Sequence, residues 1–258
     1  MIWHRTSILN KKEGEKFLKV KLFTYTNNPE LTVAIAHKAC YTPLSLSEIL
    51  RQGMSKDEIA RHITDTVKSG HTSVLEHANF TFAIEDVSRS LTHQLVRHRI
   101  ASQSQSSQRY VDMSNFNAIK PSEIQNNKDC EMIFDETMEL IAAQYKKMCD
   151  ILYNQYISEG MSKREAKTKS QENARSVLPN ACPTQIVTTM NARSLLNFFA
   201  HRCCNRAQDE IRALADEMLK QCKEIAPNIF AYAGAPCEYG KCPEGKMSCG
   251  SPRGKEVK

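Results

Sequence analysis

The sequence predicts an α+β fold with more helix than strand: a mixed sheet with long helices and no Rossmann motif. Three observations predict it. Lys19–Tyr25 (KVKLFTY) and 79–87 (NFTFAIEDV) alternate polar and apolar residues, the two-residue period of a half-buried strand. The stretch 130–159 repeats Phe134, Met138, Ile141, Tyr145, Met148 and Leu152 at steps of four and three, the period of one helical face. Strand-like and helix-like segments lack the regular βαβ alternation of a doubly wound parallel sheet.

The elements follow in order. After the first strand, 29–40 reads as a short helix. Ser55 with Glu58, and Ser162 with Glu165, open two similar stretches (GMSKDE and GMSKRE). A serine with a glutamate three residues on is the reciprocal cap that satisfies free N–H groups at a helix start. We read it as one local device used twice, not as a domain repeat. The first such helix carries Ile59, Ile63 and Val67 and stops at Gly70, a good residue for a left-handed helix end. The strand 79–87 leads into a helix over 88–98. The long helix 130–159 is a candidate for packing within or between subunits. A helix over 163–178 ends before Pro179, 184–190 is strand-like, and helices over Ala192–Arg202 and 206–223 follow. Residues 1–232 read as one domain. The tail 233–258, rich in Gly, Pro and Lys, is expected to be loosely ordered.

The 258 residues hold only nine glycines, and none lies between Gly70 and Gly160 or between Gly160 and Gly234. A G-x-G-x-x-G turn or a P-loop needs clustered glycines for close backbone approach to a pyrophosphate. A nucleotide bound by this chain must therefore be held by side chains. No run of about 18 apolar residues is present, which excludes a membrane-spanning helix. The opening stretch MIWHRTSILNKKEGEK has no apolar core and no small-residue cleavage site, so no secretory signal is expected. The ten cysteines are then expected in a reducing cytosol, as thiols. The net charge of +6 suits an enzyme for anionic substrates and also a weak nucleic-acid binder.

The densest chemistry lies between His93 and Tyr110. Arg97-His98-Arg99 is followed by seven hydroxyl and amide residues in a row, from Ser102 to Gln108, and then by Arg109. On a helix reaching His98, Gln94, Arg97 and His98 share one side while Arg99 turns away. Arginine forks hold phosphate bidentately, and Ser and Gln offer neutral donors and acceptors to phosphate and base edges. Alone, an R-H-R triplet is a solvated patch and a Ser/Gln run is a linker. Short, bounded by a helix and flanked by Arg on both sides, the combination reads as a phosphate- and base-recognition loop.

Arg97-His98-Arg99, seven further residues and then Ser107 resemble the R-H-R-x7-S signature of flavin-dependent thymidylate synthases (the ThyX family). The resemblance extends over about residues 20–232. It includes Gly70-His71-Thr72-Ser73, Glu76-His77, Ala174-Arg175 before Leu178-Pro179, and Asn191 through Arg202 with Ala207-Gln208 and Glu210-Ile211. It implies a ThyX-like fold and reductive methylation of dUMP to dTMP. Methylene-tetrahydrofolate would be the carbon donor, FAD the hydride carrier and NADPH the reductant, in a cytoplasmic homotetramer with shared active sites.

By the same resemblance, Gln94, Arg97, Gln105, Ser106, Ser107, Gln108, Arg109, Arg175 and Arg202 form the dUMP site, the 105–109 loop coming from a neighbouring subunit. His71, Ser73, Arg97, His98, Arg99, Gln105, Asn191, Arg193 and Asn197 line the FAD. Arg202 is the catalytic residue, a permanent cation that favours ionisation at N3 of the uracil. Some family members carry Glu where Gln105 stands, and Arg206 falls where some have a flavin-side histidine. On local grounds alone, Asn191 reads equally as a helix N-cap or a ligand.

Cys237, Cys242 and Cys249 depart from paired zinc spacing and have no evident fourth ligand, so a redox-sensitive or disordered tail is favoured over a metal site. Of Cys203 and Cys204, one is expected in the core and one partly exposed. No cysteine is assigned to catalysis, and neither a metal, nor nucleic acid, nor a membrane is an expected partner. The rival reading is a nucleic-acid binder using 97–109 as its patch, with steep salt dependence. A third is a nucleotide-binding regulator without activity.

Overall fold

The computed structural model describes residues 18–254; the opening stretch read above for a secretory signal lies outside them. The first part of the chain runs β1 (Lys19–Tyr25), α1 (Pro29–Tyr41), α2 (Leu46–Gln52), α3 (Lys56–Ser69), a 3-10 turn (Thr72–His77), β2 (Asn79–Ser88), α4 (Arg89–Leu95) and β3 (Ser102–Gln105). Then come α5 (Ser122–Gln125), α6 (Lys128–Ser158), α7 (Lys163–Ala174), a 3-10 turn (Arg175–Val177), β4 (Pro183–Asn191), α8 (Ala192–Arg202) and α9 (Asp209–Ile225).

The α+β class holds, with one correction to the sheet. Its four strands lie in the order β1-β2-β4-β3 and every neighbouring pair is antiparallel, so the sheet is not mixed. The reason lies in the connections. β2 and β3 run the same way, joined across α4, but β4 returns between them and pairs with both. The one crossover that would have made parallel neighbours is split by an inserted strand.

One face of the sheet is buried. Phe80, Phe82 and Ile84 of β2, with Ile186 and Met190 of β4, pack against α4 (Leu91, Leu95), α8 (Leu195, Phe198, Phe199) and α9 (Ile211, Leu214, Met218). Phe230 closes the layer edge-on against Phe80 and Phe199, with ring centroids 5.3 and 6.0 Å apart. Two polar ties fix the helices to the sheet. Gln221 of α9 accepts from Leu22 N at 2.6 Å and donates to Val20 O at 3.1 Å, satisfying backbone groups along β1, which edges the sheet. Ser88 caps α4 by accepting from Leu91 N at 3.0 Å, and its own N–H donates to Glu210 at 2.7 Å.

The capping boxes read at Ser55 and Ser162 are both formed, and Ser45 with Glu48 makes a third at the start of α2. The long helix, about 46 Å at 1.5 Å per residue, buries only Tyr145 and Tyr156 fully. Tyr145 joins Met113, Ala174 and Cys182 in a small second core, while Phe134, Met138 and Ile141 of the predicted stripe are half-buried. Ile133, Leu140 and Ile151 of the same helix are exposed.

The tail departs from expectation. Ala233, Ala235 and Cys237 belong to the main core, and two 3-10 turns (Pro236–Glu238 and Gly245–Met247) order the chain beyond them. Gly234 suits the turn there because its φ of +139 is a backbone conformation that L side chains rarely adopt. Small apolar residues at 233 and 235 fill the end of the core, and composition alone hides that.

Candidate active site

Three groups of side chains carry the chemistry. The first gathers where α4 and α8 end. α4 stops at Leu95 rather than running to His98, and the chain tightens through i→i+3 bonds from Arg97 N to Gln94 O and from His98 N to Leu95 O. The apolar residues that continued the helical pattern, Val96 and Ile100, face outward. The tightening turns His98 inward, edge-on against Phe198 with centroids 5.0 Å apart, and leaves Arg97 and Arg99 exposed.

Arg202, the last residue of α8, lies against this turn. Its Nε donates to His98 Nε2 at 3.2 Å and its Nη1 to Gln94 Oε1 at 3.5 Å. Gln94 is itself oriented, its amide donating to Gln208 Oε1. A histidine nitrogen that accepts from a guanidinium must be unprotonated, which places the ring proton on Nδ1. Burial, with Arg202 and His201 beside it, pulls the His98 pKa down to about 4, so the ring is neutral near pH 7. Burial and the Arg97 charge lower the Arg202 pKa as well. Neither Arg97 nor Arg202 has a carboxylate partner among the described residues. The Arg97 charge is felt at Arg202, and the pair gives this turn a local excess of positive charge.

The second group surrounds the polar run. Ser102–Gln105 is an edge strand, not a loop: it pairs with β4 from Ser102↔Thr189 to Gln105↔Ile186. Ser106 N continues the ladder to Gln185 O at 3.0 Å, and Ser107 Oγ then accepts from Arg109 N at 3.2 Å in a tight turn. Gln105 Nε2 donates to Thr92 Oγ1 at 2.9 Å and Thr184 Oγ1 at 3.3 Å. Arg89 holds the Ser106 carbonyl through Nη2 at 3.0 Å, and Arg175 is near enough to add to the burial that lowers its pKa. Arg109 pairs with Glu172 at 3.1 Å and lies over Tyr110. Arg89 Nε and Arg109 Nε are buried donors without partners among the described residues. An unsatisfied buried donor costs about 1–3 kcal/mol, so both side chains are held here against a penalty. Ser107 and Gln108 sit half-buried within it.

The third group lies where the 3-10 turn Thr72–His77 meets the start of α8, joined by Ala192 N to Ala78 O at 2.7 Å. Asn191 caps α8, accepting from Ser194 N at 2.8 Å. Arg193 pairs with Glu76 at 2.6 Å. His71 Nδ1 is hydrogen-bonded to the Tyr41 hydroxyl, their rings within 4° of parallel. Ser73 and Asn197 are exposed beside them.

The first and second groups stand at opposite ends of α4: Gln94 closes the helix near Arg202, and Arg89 opens it near Ser106. Gln105, bonded to Thr92, reaches partway between. Sequence reasoning missed Arg89, Glu172 and Tyr41, and it named Gln208 in the resemblance without giving it a role. Glu172, three residues before Arg175 on the same chain segment, carried a signal as the only acidic side chain between Glu165 and Arg175; Arg89 carried none.

The buried cysteines Cys182 and Cys203 are poor nucleophiles. All ten are free thiols; Cys203 is buried and Cys204 half-buried. Burial pushes Cys182 up to about 11 despite nearby Arg89, and raises Cys203 further with Asp216 beside it. Among the described residues no three His, Cys, Asp or Glu side chains are grouped to hold a metal.

Residues 21–228 match the family model described as thymidylate synthase complementing protein. The chain belongs to this family. It is 53% identical over 233 residues to a flavin-dependent thymidylate synthase of Clostridium tetani, covering 90% of this chain and 93% of that one. It is 44% identical to one of Geobacter sulfurreducens over 90% of this chain and 94% of that one, and 41% identical to one of Saccharolobus solfataricus over 85% and 78%. The family match takes in all three residue groups and ends before the tail.

Proposed function

We propose that this chain is a flavin-dependent thymidylate synthase, a methyltransferase that converts dUMP to dTMP with methylene-tetrahydrofolate as carbon donor and NADPH as reductant. One observation carries the reading. In a chain of this family, two groups of arginines with too few carboxylates, each interleaved with neutral amides and hydroxyls, match a nucleoside monophosphate. The phosphate takes guanidinium forks and bare N–H donors, and the uracil edge takes alternating donors and acceptors.

Arg202 is the catalytic residue. Its cation stands by the uracil N3, stabilises the anion left when that proton departs, and so raises electron density at C5. His98 stays neutral and accepts from Arg202 Nε, aiming the fork without competing for charge, while Gln94 holds the other arm. Gln94, Arg97 and Arg202 bind dUMP from one side; Gln105, Ser106, Ser107, Gln108, Arg109 and Arg175 bind it from the other. FAD, when bound, supplies the hydride; His71, Ser73, Arg97, His98, Arg99, Gln105, Asn191, Arg193 and Asn197 hold it with side chains in place of a glycine loop.

The two halves of the dUMP site come from different subunits of a homotetramer. The exposed apolar residues Ile133, Leu140 and Ile151 of α6 support this. The enzyme is cytoplasmic; none of the described helices is long and apolar enough to cross a membrane. Residues 1–232 form the catalytic domain, with 233–258 appended.

Purified protein should be yellow, and dUMP should perturb its flavin absorbance; with NADPH and methylene-tetrahydrofolate it should form dTMP. A colourless protein that takes up no FAD and makes no dTMP would refute the reading.

A further inference from the structure

We infer that the segment 236–254 is a strap that positions Arg202, with Arg253 as its positioning residue. The inference rests on the catalytic reading of Arg202 and goes beyond it, into a segment outside the family match. The last carbonyls of a helix lack donors within the helix. At the end of α8 the residue after Arg202 is Cys203, and its carbonyl accepts from Arg253 Nη1. The same guanidinium forks onto Asp216 of α9 at 2.7 and 2.9 Å, and its Nε stands 3.9 Å from Glu238. One planar group thus ties the end of α8, the middle of α9 and the tail together.

The ties converge on the turn that follows Arg202. Asn205 Nδ2 donates to Ser251 O at 2.8 Å, and Arg206 Nη1 donates to Met247 O at 2.6 Å with Glu244 at 3.6 Å. Behind them Arg253 N reaches Cys237 Sγ at 3.4 Å, and Cys237 is buried in the main core. Arg202 is therefore held twice: its guanidinium by His98 and Gln94, and its backbone, one residue on, by the strap. Apart from Arg202, held through its neighbour Cys203, no proposed dUMP or FAD ligand is bonded to the strap, so loosening it disturbs the aim of Arg202 and leaves the other binding groups in place.

A double-mutant cycle tests this. dTMP formation is followed with labelled dUMP, so that slow variants are measurable, alongside FAD content and KM for dUMP. Arg253→Ala should lower kcat about tenfold, the scale of a slightly misplaced catalytic group, with FAD content within about twofold of wild type and KM for dUMP raised by less than kcat falls. The variant carrying both Arg253→Ala and Arg202→Ala should be no slower than Arg202→Ala alone, because Arg253 acts through Arg202. Arg253→Lys keeps the charge beside Asp216 and loses the planar group that bonds Asp216 and the Cys203 carbonyl together. It should fall between wild type and Arg253→Ala, and it decides the matter if Arg253→Ala does not fold. Wild-type kcat in Arg253→Ala or in Arg253→Lys, or a double variant whose loss is the product of the two single losses, would overturn the strap. Full activity in Arg202→Ala would instead overturn the reading on which it rests.

Discussion

The cluster at Arg202 and the turn at 106–109 both gather arginines, yet they are held in opposite ways. At Arg202 the partners are neutral: His98, with its pKa pulled to about 4, and the Gln94 amide. At the turn, Arg109 is paired with Glu172, and Arg89 is committed to the Ser106 carbonyl with its Nε left bare. A guanidinium aimed by neutral groups keeps its full charge for an anion that forms during reaction. One already paired to a carboxylate is fixed in place and offers its remaining N–H groups to an anion that is present from the start. The first arrangement suits transition-state stabilisation and the second suits ground-state binding of a phosphate.

That contrast can be broken by substitution. Arg202→Ala should give the largest effect: kcat for dTMP formation falls by about 10²–10³, the usual cost of removing a preorganised charge donor, while the protein stays yellow. Arg109→Ala should act on binding, raising KM for dUMP by about ten- to a hundredfold through loss of a charge-assisted contact and lowering kcat much less. Steady-state kinetics on both variants separate the two roles. Equal falls in kcat with unchanged KM in both would erase the distinction.

The neutrality of His98 predicts a pH dependence. Its folded pKa lies below the ordinary 6.5, so the native state binds fewer protons than the unfolded chain between about 6.5 and about 4. Stability attributable to this ring is complete above about 6.5 and is lost as pH falls toward 4. Thermal melts across that range should show a steeper acid loss for wild type than for His98→Gln. Smallest is a control far from both clusters: Ser162→Ala removes the cap of α7, which accepts from Glu165 N at 3.3 Å. It should cost about 1 kcal/mol in a denaturant melt with kcat unaltered.

Legibility in the sequence followed what each residue pattern can encode. The helix Ala192–Arg202 was readable to its ends because an Asn cap precedes it and its apolar residues recur on one face. The boxes at Ser55 and Ser162 were readable because two side chains must match three residues apart. The third, at Ser45, has the same pattern and was overlooked because no long apolar stripe follows it. β3 was hidden: its residues are Ser and Gln throughout, and pairing with β4 rather than burial makes it a strand. The helix expected over 88–98 outruns α4, which stops at Leu95 where the chain tightens into i→i+3 bonds that residue pattern does not signal. At the site, residue types and order were legible. Their division between two ends of a helix was not, since it depends on where α8, α9 and β3 pack.

The most direct test of the account mixes subunits. Arg202→Ala and Arg109→Ala chains, each nearly inactive at low dUMP, are unfolded together, refolded and assayed. If each site combines Arg202 of one subunit with Arg109 of another, some sites in the hybrids carry both intact residues, and dTMP formation should recover to a sizeable fraction of wild type. If both residues of a site come from one chain, every site keeps a defect, and the mixture will be no more active than the average of the two variants alone.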